Sequence, residues 1–76
     1  MLHYTDHVRD RMKERNISQE EVETCVENPE TTYPSDDDLD CKNYVHTFSN
    51  GRRIRVVVNE AKPGHKVVVT AMVQGD

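Results

Sequence analysis

Tyr44, His46, Phe48, Arg53 and Arg55 alternate along the chain on either side of an Asn50-Gly51 pair, and together they hold the chemistry that suits a phosphate- and base-bearing ligand. Guanidinium groups bind phosphate oxygens through paired hydrogen bonds. Aromatic rings stack on bases, and an imidazole moves protons near neutral pH. Arg52, at the turn itself, adds to the same basic cluster. Two other readings fit these residues. The arginine stems could cover Tyr44 and Phe48 on a solvated sheet face, or the face could pair with a second copy of the chain.

A second stripe, His7, Arg11 and Arg15, recurs at i+4 and borders the apolar seam of Tyr4, Val8 and Met12 on one helix. In a structural role, Arg15 complements the helix carboxyl end and Arg11 pairs with an acid of the next helix, such as Glu21. In a functional role, His7 and Arg11 reach the sheet rim and join a catalytic or phosphate-binding cluster. His3 and His7, also i and i+4, would be two metal ligands with no third, and no metal or other cofactor is expected. Asp36-Asp37-Asp38 and Asp40 lack the central glycine and closing glutamate of an EF-hand loop. The chain has no glycine-rich phosphate loop, nucleophile elbow or paired-cysteine zinc motif.

The elements that would position these groups follow from periodicity. The i+4 seam predicts a helix over about 4–15, ended by Asn16, which tolerates the left-handed conformation. Ser18-Gln19-Glu20-Glu21 has the form of a capping box opening a helix over about 18–27, which buries Val22, Cys25 and Val26 and stops before Pro29. Each is too short to be stable alone, so a tight αα-hairpin is expected. Strands are predicted over about 31–34, 43–49, 52–59 and 66–73, with an acidic loop at 35–41 and a turn at Pro63-Gly64. The expected fold is a single α+β domain: two N-terminal helices packed on a three- to four-stranded antiparallel sheet.

Asn50-Gly51 is the preferred pair for a two-residue type I′ turn, and such a turn dictates the register. Thr47 then faces Ile54, His46 faces Arg55 and Tyr44 faces Val57. Val45, Thr47, Ile54, Val56 and Val58 share the core face, while Tyr44, His46, Phe48, Arg53, Arg55 and Val57 share the other.

Composition bounds the function. With 76 residues, 34% hydrophobic and 32% charged, the core must be thin. The net charge of −4 conceals a division along the chain. Residues 18–40 hold nine acids and no Lys or Arg, whereas the other 53 residues hold ten bases against five acids. Such segregation allows a basic face on an acidic protein. No stretch approaches a membrane span and no basic-then-apolar leader opens the chain, so a cytoplasmic location with Cys25 and Cys41 as free thiols is expected.

The run His7-x-x-x-Arg11-Met12-x-x-Arg15-Asn16-Ile17-Ser18, followed by Val22 and Pro29, resembles the small prokaryotic family designated domain of unknown function 4258. Thr5-Asp6-His7, Gly51-Arg52 and Val67-Val68-Val69-Thr70-Ala71 fit the same order, with Asn16 where the family usually has glycine. The resemblance covers nearly the whole chain. It implies a distant relationship to the RelE/ParE and BrnT-like toxin folds, whose active members cut RNA without metal, and it implies site roles for His7, Arg11, Arg15, His46, Arg53 and Arg55.

The expected function is therefore that of a toxin-type, metal-independent ribonuclease. His46 or His7 would exchange the proton and Arg11, Arg53 and Arg55 would hold the phosphate. Arg15 and Arg52 would extend the nucleic-acid contact, and Tyr44 or Phe48 would stack a base. The alternative is a non-catalytic interaction module whose partner is an antitoxin-like protein or a second copy of itself.

Overall fold

A computed structural model describes residues 2–74. The chain runs β1 (Leu2–Tyr4), α1 (Asp6–Glu14), α2 (Gln19–Glu27), β2 (Thr31–Pro34), β3 (Cys41–Thr47), β4 (Arg53–Lys62) and β5 (His65–Gln74). The strands form one sheet in the order β1-β5-β4-β3-β2, antiparallel except for β1, which lies parallel to β5.

This corrects the expected architecture. The sheet has five strands and is mixed, and a strand precedes the helices. Leu2, His3 and Tyr4 pair with Lys66, Val67 and Val68, so His3 and His7 do not share a helix. The Tyr4-Val8-Met12 spacing suggested one because the Tyr4 side chain joins Val8 and Met12 in the same core, but from the sheet. Nor do the helices form a tight hairpin with each other: α1 packs on β5, and α2 packs on β3 and β4.

Local chemistry accounts for the helix ends. Thr5 caps α1, its hydroxyl accepting the Val8 N–H at 3.1 Å. At the other end Asn16 adopts φ 55°, the Ile17 N–H reaches the Met12 carbonyl at 2.8 Å, and the Asn16 N–H reaches that of Lys13 at 3.3 Å. That is a Schellman ending, with buried Ile17 and Met12 at the positions of its hydrophobic contact. The capping box of α2 is complete: the Glu21 N–H donates to the Ser18 hydroxyl, and the Ser18 N–H donates to the Glu21 carboxylate.

The central hairpin does not use the expected turn. The Phe48 N–H bonds the Arg52 carbonyl at 2.8 Å, and the Gly51 N–H bonds the Phe48 carbonyl at 2.9 Å. Gly51 sits at φ 85°. Ser49, Asn50 and Gly51 thus form a three-residue loop, a turn closed by a left-handed glycine, in place of a two-residue type I′ turn. The register moves by one residue: Thr47 pairs with Arg53, His46 with Ile54, Val45 with Arg55 and Tyr44 with Val56.

A one-residue shift exchanges faces. Tyr44 joins Ile54, Val56, Val58, Val68 and Ala71 under Val8, Met12, Val22 and Cys25 in the helix-covered core, with Phe48 packed at its margin. The opposite face, which no helix covers, carries Asn43, Val45 and Thr47 beside Arg53, Arg55 and Val57. Among the described residues, no helix is long and apolar enough to cross a membrane.

Candidate nucleic-acid interface

The residues singled out for chemistry separate onto the two sides of the sheet. On the helix-bearing side, Arg52 bonds both oxygens of Glu21 (3.2 and 3.0 Å) and the carbonyls of Arg15 and Asn16 (2.9 and 2.7 Å). Its guanidinium therefore ties the end of α1 to the start of α2 and to the hairpin. It takes the carboxylate that helix geometry had offered to Arg11, and Arg11 pairs with Glu14 in its own helix instead.

Arg15 donates to the Ala71 carbonyl at 2.9 Å. That carbonyl belongs to the stretch of β5 that extends beyond its pairing with β1, and Ala71 is left with no exposed surface. Arg15 thus closes a sheet edge that would otherwise offer a free acceptor. His7 stands exposed on α1.

His46 lies 2.8 Å from the Asn28 carbonyl through Nδ1, and since a carbonyl only accepts, that nitrogen carries the proton. Its ring meets Phe48 edge to face at 4.6 Å. The Tyr44 hydroxyl bonds the Glu60 carboxylate, while Lys42 and Lys66 lie 5.4 and 5.9 Å from its ring centroid. Burial first, and then the Glu60 bond and charge, push the Tyr44 phenol above its ordinary value. Tyr44, His46 and Phe48 therefore do not share a face with Arg53 and Arg55, contrary to the two-residue-turn register.

The open face keeps the two arginines and adds groups that sequence reasoning missed. Arg53 pairs with Glu30 at 2.7 Å and reaches Gln74 and Thr47 at 3.4 Å. Arg55 is different. Its Nη1 lies 3.5 Å from the Asn43 side-chain oxygen, its Nη2 lies against the Met72 sulfur, and its Nε is buried without a partner. Among the described residues, no carboxylate pairs with it. Asn43, 4% exposed, donates in turn to the Tyr33 carbonyl, and Tyr33 pairs with Asn43 across the β2–β3 ladder. A half-buried guanidinium contacted by neutral groups, with one buried N–H unpaired, keeps a charge that nothing neutralises, which is chemistry suited to an anion.

Further along the same face, His3 and His65 stack with ring centroids 4.1 Å apart. His3 pairs with Val67, alternating with the core-facing Leu2 and Tyr4, which puts it on the open side. His3 stood out in the sequence only beside His7, and its meeting with His65 was not legible, since it depends on the parallel pairing of strands from opposite ends of the chain. No group of three or more His, Cys, Asp or Glu side chains suited to a metal occurs among the described residues. Cys25 and Cys41 are free thiols, both buried.

The model of the family described as domain of unknown function (DUF4258) matches residues 4–73, and the chain belongs to that family. No curated protein and no solved structure matches the chain.

Proposed function

We propose that this DUF4258 protein binds RNA through the open face of its sheet, with Arg55 as the phosphate receptor. The observation that carries the reading is the state of Arg55: half-buried, its Nε unpartnered, and its guanidinium hydrogen-bonded among the described residues to the Asn43 amide oxygen and the Met72 sulfur alone. A cation kept in that condition costs stability unless a ligand completes it. Tyr33 lies on the same face and offers its ring to a base, while Arg53, also there, is already paired with Glu30. The acids of α2 stand on the opposite side of the sheet, and Glu30, on this side, is paired with Arg53.

Cleavage in the manner of RelE/ParE and BrnT-like toxins is the fuller form of the reading. It draws its acid–base group from His3 and His65, because His46 and His7 stand on the helix-bearing side. Incubating the protein with single-stranded RNA in EDTA reads binding and cleavage together. Arg55→Gln should lower affinity roughly tenfold or more, with the fold preserved by circular dichroism. Equal binding by wild type and Arg55→Gln removes the proposal. Cleavage that persists unchanged in both Arg55→Gln and His65→Ala would identify a contaminant.

A protein-interaction module is the second reading, supported by Leu39, which is 93% exposed among Asp36, Asp37, Asp38 and Asp40. Its partner would be an antitoxin-like chain or a second copy. Light scattering over a concentration series tests self-association, and a strictly monomeric protein removes that version.

A further inference from the structure

At the end of the open face away from Arg53 lies a cavity of about 400 Å³ lined by Asn59, Ala61, Lys62, His65, Val67 and Val69. Val67, Val69 and Ala61 make much of its lining apolar, Lys62 adds one cation, and it includes no Asp or Glu. Val69 is 40% exposed there, a large apolar residue left in water on a β-strand. The Asn59 side-chain oxygen is committed, accepting the Ala61 N–H at 2.9 Å, while its amide donors have no partner among the described residues. His65 forms one wall and is backed by His3 in a stack with an interplanar angle of 29°.

The turn that builds the rim is well determined by sequence. Lys62 pairs with His65 across Pro63-Gly64, and Gly64 sits at φ 72°, as a type II turn with proline at its first corner requires. The backbone irregularity between Asn59 and Lys62 then separates Glu60 from this side. Its carboxylate points to Tyr44 and Lys66 on the helix-bearing face.

We infer that this cavity receives one unstacked nucleobase of a single-stranded RNA whose phosphate chain is held at Arg55. The inference rests on the RNA reading of the open face and names the form of RNA that the face takes. Each part of the cavity matches a part of a nucleotide. Val67, Val69 and Ala61 offer an apolar surface to a base, and the His3–His65 stack is a π platform that a third ring continues. The free Asn59 amide donors suit an acceptor on a base edge, and Lys62 suits the adjoining phosphate.

Asn59 lies four residues from Arg55 along β4, roughly 13 Å at the rise of a strand. Occupying both sites therefore takes a run of nucleotides, not a single one. A duplex cannot do this, since its bases are paired and stacked inside the helix.

The test compares three probes on the full chain in EDTA: fluorescein-labelled single-stranded oligoadenylate, its duplex with oligouridylate, and a ribose-phosphate oligomer of equal length without bases. Wild-type protein should bind the single strand roughly tenfold more tightly than either of the others. His65→Ala and Val69→Asp, both exposed and outside the core, should each reduce binding of the single strand to the level of the base-free oligomer. Equal affinity for all three probes, with Arg55→Gln weakening all of them, overturns the base pocket and leaves the phosphate reading standing. No binding of any probe by wild-type protein overturns both.

Discussion

Arg52 and Arg55 are three residues apart, and the sequence offers both to one nucleic-acid site, Arg55 at the phosphate and Arg52 as a further contact, yet their surroundings differ sharply. Arg52 is satisfied by a carboxylate and two helix-end carbonyls, so its work is structural. Arg52→Ala should therefore destabilise the fold by about 2 kcal/mol, read as a lower urea midpoint, while RNA affinity of the folded protein is unchanged. Nothing local to Arg52 announced this, because its partners lie more than thirty residues away in the chain. The Ser18–Glu21 box and the left-handed Asn16 were legible in advance because every group involved lies within a few residues.

Cys25 supplies a pH-dependent prediction at the same scale. Burial first, and then the Glu21 charge, push its thiol up to about 11, and its sulfur lies 3.6 Å from the Ile54 carbonyl. The folded protein keeps this proton where the unfolded chain begins to lose it near pH 9, so the contribution is whole below pH 9 and disappears as pH rises toward 11. A fall of about 2 to 3 kcal/mol across that window is expected from this group. Urea midpoints measured from pH 8 to 11 should show a smaller decline in Cys25→Ala than in wild type.

Among the elements, the β3–β4 hairpin decides where function can reside. Sequence reasoning placed both strands and the Asn50-Gly51 turn, but not the loop length. That single residue sent Tyr44, His46 and Phe48 to the helix-bearing side and left Arg53 and Arg55 on the other. The total apolar content of the two faces favours this arrangement, since it gathers two aromatic residues with Ile54, Val56 and Val58 beneath the helices. Gly51 at φ 85° is the conformational requirement of the loop, and a Cβ there would meet no atom within 4 Å. Gly51→Ala should thus cost about 1 kcal/mol through backbone strain alone, read as a lower thermal midpoint with the register intact by NMR. β1 was missed for a different reason. A three-residue strand whose partner lies at the far end of the chain leaves no periodic signal, and residue spacing that fits a helix can arise from two elements facing one core.

At the scale of the whole molecule, the division of charge along the chain does not carry over into space: Arg11, Arg15, Arg52 and Lys66 lie with the acids of α2 on the helix-bearing side, and Glu30 lies beside Arg53 on the other. The acidic α2 is packed against one side of the sheet, and Arg53, Arg55, Lys62, His3 and His65 belong to the other. The two helices, the β4 half of the core and family membership were legible from pattern, whereas the β3 half of the core and the composition of the open face required the register and the β1–β5 pairing. The most direct test of the central claim is an NMR titration of the labelled protein with single-stranded oligoadenylate in EDTA, following every backbone amide. The account predicts shifts concentrated at Asn43, Val45, Arg53, Arg55, Val67 and Met72, with the helices undisturbed. Shifts centred on His7, Arg11, Arg15 and Arg52, or none at all, would contradict it.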